Sequence, residues 1–195
     1  MGFVQPAYLL NKSSLFYLSA PKKSHFLSSH GQIKMASNLK RLYVMRHGHA
    51  EPFGYDNDAQ RELTTQGFAE VRQTAEQFAV KQEDFDAIFV SPYIRAQQTA
   101  NEFIKVLGTG ANFQTVDLIT PSGKPLDVAL WLHDLPYSSV LLVTHQPFAH
   151  QLVDMLADEP LPYEFQMTTA TMAALEGELF ATACCQFKWA ISPKL

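Results

Sequence analysis

Three apolar runs in this chain end abruptly in residues suited to chemistry. Leu42-Tyr43-Val44-Met45 runs into Arg46-His47-Gly48. Ile88-Phe89-Val90 runs into Ser91-Pro92-Tyr93-Ile94-Arg95, and Leu141-Leu142-Val143 into Thr144-His145-Gln146-Pro147. If these runs are parallel strands of one sheet, their exits share an edge, and two arginines and two histidines converge in one pocket. Such a set suits a phosphoryl group in transfer, whose equatorial oxygens carry negative charge. Arg stays charged and offers a rigid fork of donors, so Arg46 and Arg95 fit that charge. A neutral imidazole can attack phosphorus, and an ordinary pKa of about 6.5 leaves histidine mostly neutral at pH 7. Gly48 lets the backbone approach closely beside His47. A helix starting at Ser91-Pro92 would add a positive dipole end to the same pocket. Taken singly, each residue has a plain structural reading: a surface turn, a satisfied buried histidine, an arginine on a solvated helix face. The conjunction at three strand ends is what favours a site.

The elements that must position these residues are legible as alternating patterns. Leu42–Met45, Ala87–Val90 and Ser139–Val143 read as buried strands. Leu63–Val80 places Leu63, Phe68, Val71, Ala75 and Phe78 at helical spacing, with Thr64 or Thr65 as N-cap. Pro92–Leu107 reads as a helix capped by Ser91 and ended by Gly108. Asn112–Leu118 reads as a strand, and Leu126–His133 and Pro147–Ala157 as helices. Thr168–Leu175 and Cys184–Ala190 read as closing strands, compatible with a hairpin. Strands alternating with helices indicate an α/β class: a three-layer α/β/α sandwich on a mostly parallel sheet. In such sheets, sites form beyond the carboxyl ends of the strands.

Composition narrows the function classes. A chain of 195 residues suits one domain with a full core. A formal charge of -4 argues against non-specific nucleic-acid binding, so an anion site must be a local cluster. The two cysteines, Cys184 and Cys185, are adjacent and read as small residues in a late strand rather than a disulfide framework or a zinc site. A reducing, cytoplasmic setting is expected. No apolar run approaches the roughly 20 residues that span a membrane. The early apolar pieces Ala7–Leu10 and Leu15–Ala20 are interrupted by Asn11-Lys12-Ser13-Ser14 and lack a basic leader, so they are not read as a secretory signal. No Asp or Glu precedes Glu51, and Met1–Lys34 is Ser-rich without periodicity. Residues 1–38 are read as a disordered extension, with Met35 a natural start and the upstream stretch a start-site artefact or inert tail. A transit peptide fits less well, because Arg is absent from Met1 to Asn38. The domain is taken as 39–195.

The motifs resemble those of the histidine phosphatase superfamily, which includes the cofactor-dependent phosphoglycerate mutases. Val44-Met45-Arg46-His47-Gly48 looks like its signature, Ser91–Thr99 its second motif and Thr144-His145-Gln146-Pro147 its third. Arg61-Glu62-Leu63-Thr64-Thr65-Gln66-Gly67 is similar to the stretch after the first motif. The resemblance implies the phosphoglycerate mutase-like fold, with His47 as the nucleophile that becomes phosphorylated. It further implies Arg46 and Arg95 gripping the phosphoryl group, His145 donating a hydrogen bond to it, and Arg61 binding phosphate near the pocket mouth. It implies no metal and no cofactor. His49 receives no role, and His25, His30, His133 and His150 read as surface or packing residues.

The stretch from Arg95 to His145 is short and already filled by predicted elements. It lacks the helical insertion that supplies mutases and sugar phosphatases with substrate contacts and a carboxylic acid. This compact form resembles the bacterial SixA-type phosphohistidine phosphatases. That resemblance implies a phosphorylated histidine phosphotransfer domain of a sensor kinase, or a phosphocarrier protein, as partner and substrate. Expelling imidazole needs less help from an acid than expelling an alkoxide. Asp117 and Glu51 are the acid candidates, although a solvated surface position is the plainer reading of both. A broad-specificity small-molecule phosphomonoesterase is the alternative, and a non-catalytic phosphoprotein-binding module the remote one. Nothing demands more than a monomer.

Overall fold

The computed structural model describes residues 39–52 and 55–194. The reading of residues 1–38 as an extension lies outside the described residues. The chain builds strands β1 (Lys40–Arg46), β2 (Ala87–Val90), β3 (Gln114–Thr115), β4 (Ser139–Thr144), β5 (Met172–Gly177) and β6 (Gln186–Ile191). Between them run helices α1 (Thr65–Ala79), α2 (Ile94–Leu107), α3 (Pro125–Asp134) and α4 (Phe148–Leu156). The strands form one sheet of order β3-β2-β4-β1-β5-β6. β1, β2, β3 and β4 are mutually parallel, and β5 and β6 close the sheet antiparallel as a hairpin.

The apolar runs read as continuous because the central strands are buried on both faces. Alternation within them assigns residues to two cores. Leu42, Val44, Val140 and Leu142 face α3 and α4, where Val128, Leu132, Phe148 and Leu152 pack. Tyr43, Met45, Leu141 and Val143 face α1 and α2, where Val71, Phe78, Ala100 and Phe103 pack. The expected three layers follow. Each fully buried Leu or Phe here contributes about 1.5–3 kcal/mol relative to exposure. Among the described residues, no helix is long and apolar enough to cross a membrane.

Local signals held where they acted over a few residues. Thr64 caps α1, its hydroxyl accepting the Gly67 N–H at 3.1 Å. Leu63 lies before the helix, in a bridge to Ala50. Gly108 ends α2 in the left-handed region at φ 66°. Other boundaries differ. α2 begins at Ile94, not Pro92, and Ser91 does not cap it; Tyr93 holds the N-cap position without a side-chain cap. The strand expected over Asn112–Leu118 shrinks to β3, because Asp117–Ile119 winds into a 3-10 turn. β5 starts at Met172, four residues later than the reading from Thr168, after a turn in which Ala170 takes φ 54°. Cys184 and Cys185 precede β6 rather than lying in it, and both are free thiols.

Candidate active site

Register brings the three exits together. Met45 pairs with Val143 and Val90 pairs with Val143, so β1, β4 and β2 end side by side. The His47 N–H donates to the Thr144 carbonyl at 2.9 Å, and the Ser91 N–H to the Val143 carbonyl at 3.0 Å. The ladder thus continues one step past the strands and sets His47, Ser91 and His145 at one edge. Opposite, the left-handed turn lets the Ala170 N–H donate to the His47 carbonyl at 3.0 Å.

His47 is 8% exposed, and its Nδ1 lies 2.7 Å from the Gly48 carbonyl. A carbonyl only accepts, so Nδ1 carries the proton and Nε2 carries the lone pair. Arg95 Nε donates to that Nε2 at 3.2 Å. Burial pushes the His47 pKa down to about 3, against the Gly48 carbonyl and with the help of Arg95, Arg46 and Arg61. The ring is therefore neutral at pH 7, with the lone pair of Nε2 aimed at a guanidinium.

His145, 1% exposed, faces His47 with ring centroids 5.0 Å apart. Its pKa is driven down to about 2 by burial, then by His47, Arg95 and Arg46. Its Nε2 meets the Ser91 hydroxyl at 2.7 Å, and that same oxygen accepts the Tyr93 N–H at 3.5 Å. The Ser91 hydroxyl keeps its own proton while accepting from the backbone; when it gives that proton to Nε2, the ring proton sits on Nδ1. Among the described residues, two buried side-chain polar atoms lack a hydrogen-bond partner: His145 Nδ1 and Arg46 Nε. Unpaired buried donors are rare because each forfeits its hydration. Both belong to this cluster, as expected of a site built around an anion. Arg46 is further anchored by donating Nη1 to the Met167 carbonyl at 3.0 Å.

Arg95 is 4% exposed. Its Nη1 donates to the Asp58 carbonyl at 2.7 Å and its Nη2 to Asp58 Oδ2 at 2.9 Å. Arg61 donates Nη1 to Asp58 Oδ1 at 2.8 Å and Nε to the Glu51 carbonyl at 2.7 Å. Arg61 thus stands one residue out from His47, with Asp58 between it and Arg95. Gly48 has a packing reason for lacking a side chain: a Cβ there would lie 2.7 Å from the Gly67 carbonyl of α1. Its N–H donates to Thr99 Oγ1 at 3.1 Å rather than into the pocket.

Sequence reasoning missed three residues of this arrangement. Thr99 donates its hydroxyl to the Arg95 carbonyl at 2.7 Å while accepting from Gly48, so it ties α2 to the exit of β1. Tyr93 packs edge-on against His145 at 4.8 Å and under the Arg95 guanidinium at 4.8 Å. Asp58 had no local signal beyond its spacing three residues before Arg61. Asp117 is exposed on its 3-10 turn. His150 stacks on Phe165 at 5.6 Å, and His133 is exposed at the end of α3.

Two predictions arise here. Ser91→Ala should lower turnover roughly tenfold to a hundredfold, the scale typical of residues that orient a working ligand from behind. A steady-state kcat equal to the parent's would remove Ser91 from the assignment of the His145 tautomer. The second concerns pH. An unfolded histidine titrates at about 6.5, whereas His47 and His145 fold with pKa values of about 3 and about 2. Between these limits the unfolded chain binds protons that the folded chain does not, so stability falls as pH falls below about 6.5. Each histidine contributes a slope of up to about 1.4 kcal/mol per pH unit in that window. Urea midpoints from pH 7 to pH 4 should decline, and less steeply in His47→Gln. Parallel profiles for the two proteins would contradict the neutral buried state of His47.

Comparison with known proteins gives a consistent set of relatives. A family model described as the histidine phosphatase superfamily (branch 1) matches residues 42–118. Phosphohistidine phosphatase SixA of Escherichia coli (strain K12) is 30% identical over 156 residues, spanning 78% of this chain and 94% of that protein. The SixA homolog of Haemophilus influenzae is 29% identical over 148 residues, spanning 70% of this chain and 88% of that protein. A solved structure of the protein histidine phosphatase SixA complexed with tungstate superposes with a TM-score of 0.69 at 29% identity. It covers 78% of this chain and 97% of that one.

Proposed function

The chain belongs to the histidine phosphatase superfamily, and from that premise we propose that it removes phosphate from a phosphohistidine carried by another protein. His47 Nε2 attacks phosphorus in line, the P–N bond of the substrate breaks, and phospho-His47 forms. Water then attacks phospho-His47 and releases inorganic phosphate. Arg46 and Arg95 hold the phosphoryl oxygens, His145 donates its Nδ1–H to one of them, and Arg61 contributes positive charge at the mouth. Because the arginines neutralise the developing charge, the scheme needs no metal and no cofactor.

The observation that supports this substrate class is the state of Asp58, a carboxylate bonded to both Arg95 and Arg61. Burial pushes the Asp58 carboxyl up, but the hydrogen bonds and charges of Arg61 and Arg95 outweigh it and hold its pKa below the ordinary carboxylate value. Such a group is a poor proton donor. An alkoxide leaving group needs a donor, whereas imidazole takes up a proton readily near neutral pH. The segment between Arg95 and His145 is also taken up by α2, β3, a 3-10 turn, α3 and β4. That leaves little chain in this segment for a lid, which suits a phosphohistidine displayed on a protein.

The partner class we favour is a histidine-containing phosphotransfer domain of a sensor kinase, or a phosphocarrier protein, met in the cytoplasm by a monomer. The test is hydrolysis of a phosphohistidine-bearing phosphotransfer protein beside a panel of sugar and acyl phosphates. Rapid loss from the protein with little loss from the panel is expected. The reverse pattern would move the substrate to a small phosphomonoester while leaving the chemistry at His47 in place.

A further inference from the structure

Asp58 does more than form a surface ion pair. It opens the 3-10 turn Asp58–Gln60, whose N-cap Asn57 accepts the Ala59 N–H at 3.0 Å, so its backbone is fixed locally. Three of its oxygens then hold two guanidinium groups. The carbonyl and Oδ2 take the Nη1 and Nη2 end of Arg95, and Oδ1 takes Arg61. The carbonyl also accepts the Arg61 N–H at 3.3 Å. With its fork end held by Asp58, Arg95 points Nε at His47 Nε2, 3.2 Å away.

We propose that Asp58 is the positioning residue of this site: by chelating the fork of Arg95 it aims the Nε edge of that arginine at the nucleophilic nitrogen of His47. The proposal rests on the reading of His47 as nucleophile. Arginine has five N–H donors, and Asp58 takes its donors at the end of the fork away from His47. A phosphoryl group arriving at Nε2 meets the Nε edge, so Asp58 and the phosphoryl group share the arginine rather than compete for it. Half of the Asp58 side chain is exposed, at 46% against 5% for Arg95. Because Arg95 is buried, losing the carboxylate also costs some stability. The value of the pair lies in orientation, since small misplacements of a charge-bearing group in a transition state are expensive.

The experiment compares Asp58→Ala and Asp58→Asn with the parent chain. Asp58→Ala should lower kcat for a phosphorylated phosphotransfer protein about a hundredfold and weaken binding of inorganic phosphate, with some fall in melting temperature that Asp58→Asn largely avoids. Asp58→Asn should fall between, because it keeps the carbonyl and one side-chain acceptor. In the chain labelled with 15N-histidine, the His47 Nε2 resonance should move in Asp58→Ala toward that of a nitrogen accepting no hydrogen bond. An unchanged kcat with an unmoved resonance would overturn the proposal. So would a faster enzyme that binds phosphate more tightly, which would make Asp58 a competitor for the phosphoryl site. The resonance reports on Arg95 without any substrate. If His47→Ala kept full turnover, the nucleophile reading would fall while the Asp58 measurement still stood or fell by itself.

Discussion

His47→Ala is expected to lower turnover by about four orders of magnitude or more, since removal of a covalent nucleophile leaves only the binding and electrostatic contribution. The geometry is specific about why. Nδ1 is committed to the Gly48 carbonyl at 2.7 Å, which leaves Nε2 as the free lone pair, and Arg95 Nε stands 3.2 Å from it. Alanine removes the lone pair and leaves the guanidinium facing a small cavity. The fold should survive. The backbone bonds of residue 47, to Thr144 and Ala170, do not involve the ring. The imidazole is neutral at pH 7, so its loss removes some packing and no charge. Rapid quench with radiolabelled substrate should trap label on the parent chain and none on the variant. Near-normal turnover, or label retained on the variant, would move the nucleophile elsewhere.

Arg95→Lys should reduce kcat by roughly a hundredfold to a thousandfold, the scale seen when a donor to a developing anion is removed. Charge is conserved in this change, so a large loss would isolate geometry. Arg95 serves His47 Nε2, the Asp58 carbonyl and Asp58 Oδ2 at once, over distances of 3.2, 2.7 and 2.9 Å. A single ammonium cannot span those three acceptors. It would settle on Asp58, the stronger partner, and leave Nε2 without its donor. Arg95 is buried to within 4% of completely, so some loss of stability is expected as well, and thermal melts should accompany the kinetics. A kcat within a factor of three of the parent's would remove Arg95 from direct contact with the phosphoryl group.

The tertiary relations explain which parts of the site were legible. The three apolar runs could be read because parallel strands are buried on both faces and leave an unbroken mark in sequence. The Thr64 cap and the Gly108 terminus could be read because capping acts within three or four residues. Ser91 shows the limit of that logic. It looked like a helix cap beside Pro92, yet its hydroxyl serves His145, 54 residues away. A hydroxyl that local rules assign to the nearest helix was taken by a buried ring with no other donor.

By itself the sequence determined the residue types of the site, their position at strand ends, and the α/β class that makes such ends converge. Those follow from hydrophobic patterning and from the chemistry of arginine and histidine, which are properties of short segments. Only the tertiary structure decided which nitrogen of His47 carries the lone pair, which nitrogen of His145 is left without a partner, and what holds Arg95. Asp58 reaches Arg95 across 37 residues, and Thr99 reaches Gly48 across 51. Hydrogen-bond partners at such separations depend on strand order and register to within an ångström. No periodicity or local propensity encodes that, because the energy selecting the partners appears only once the sheet has closed and excluded water.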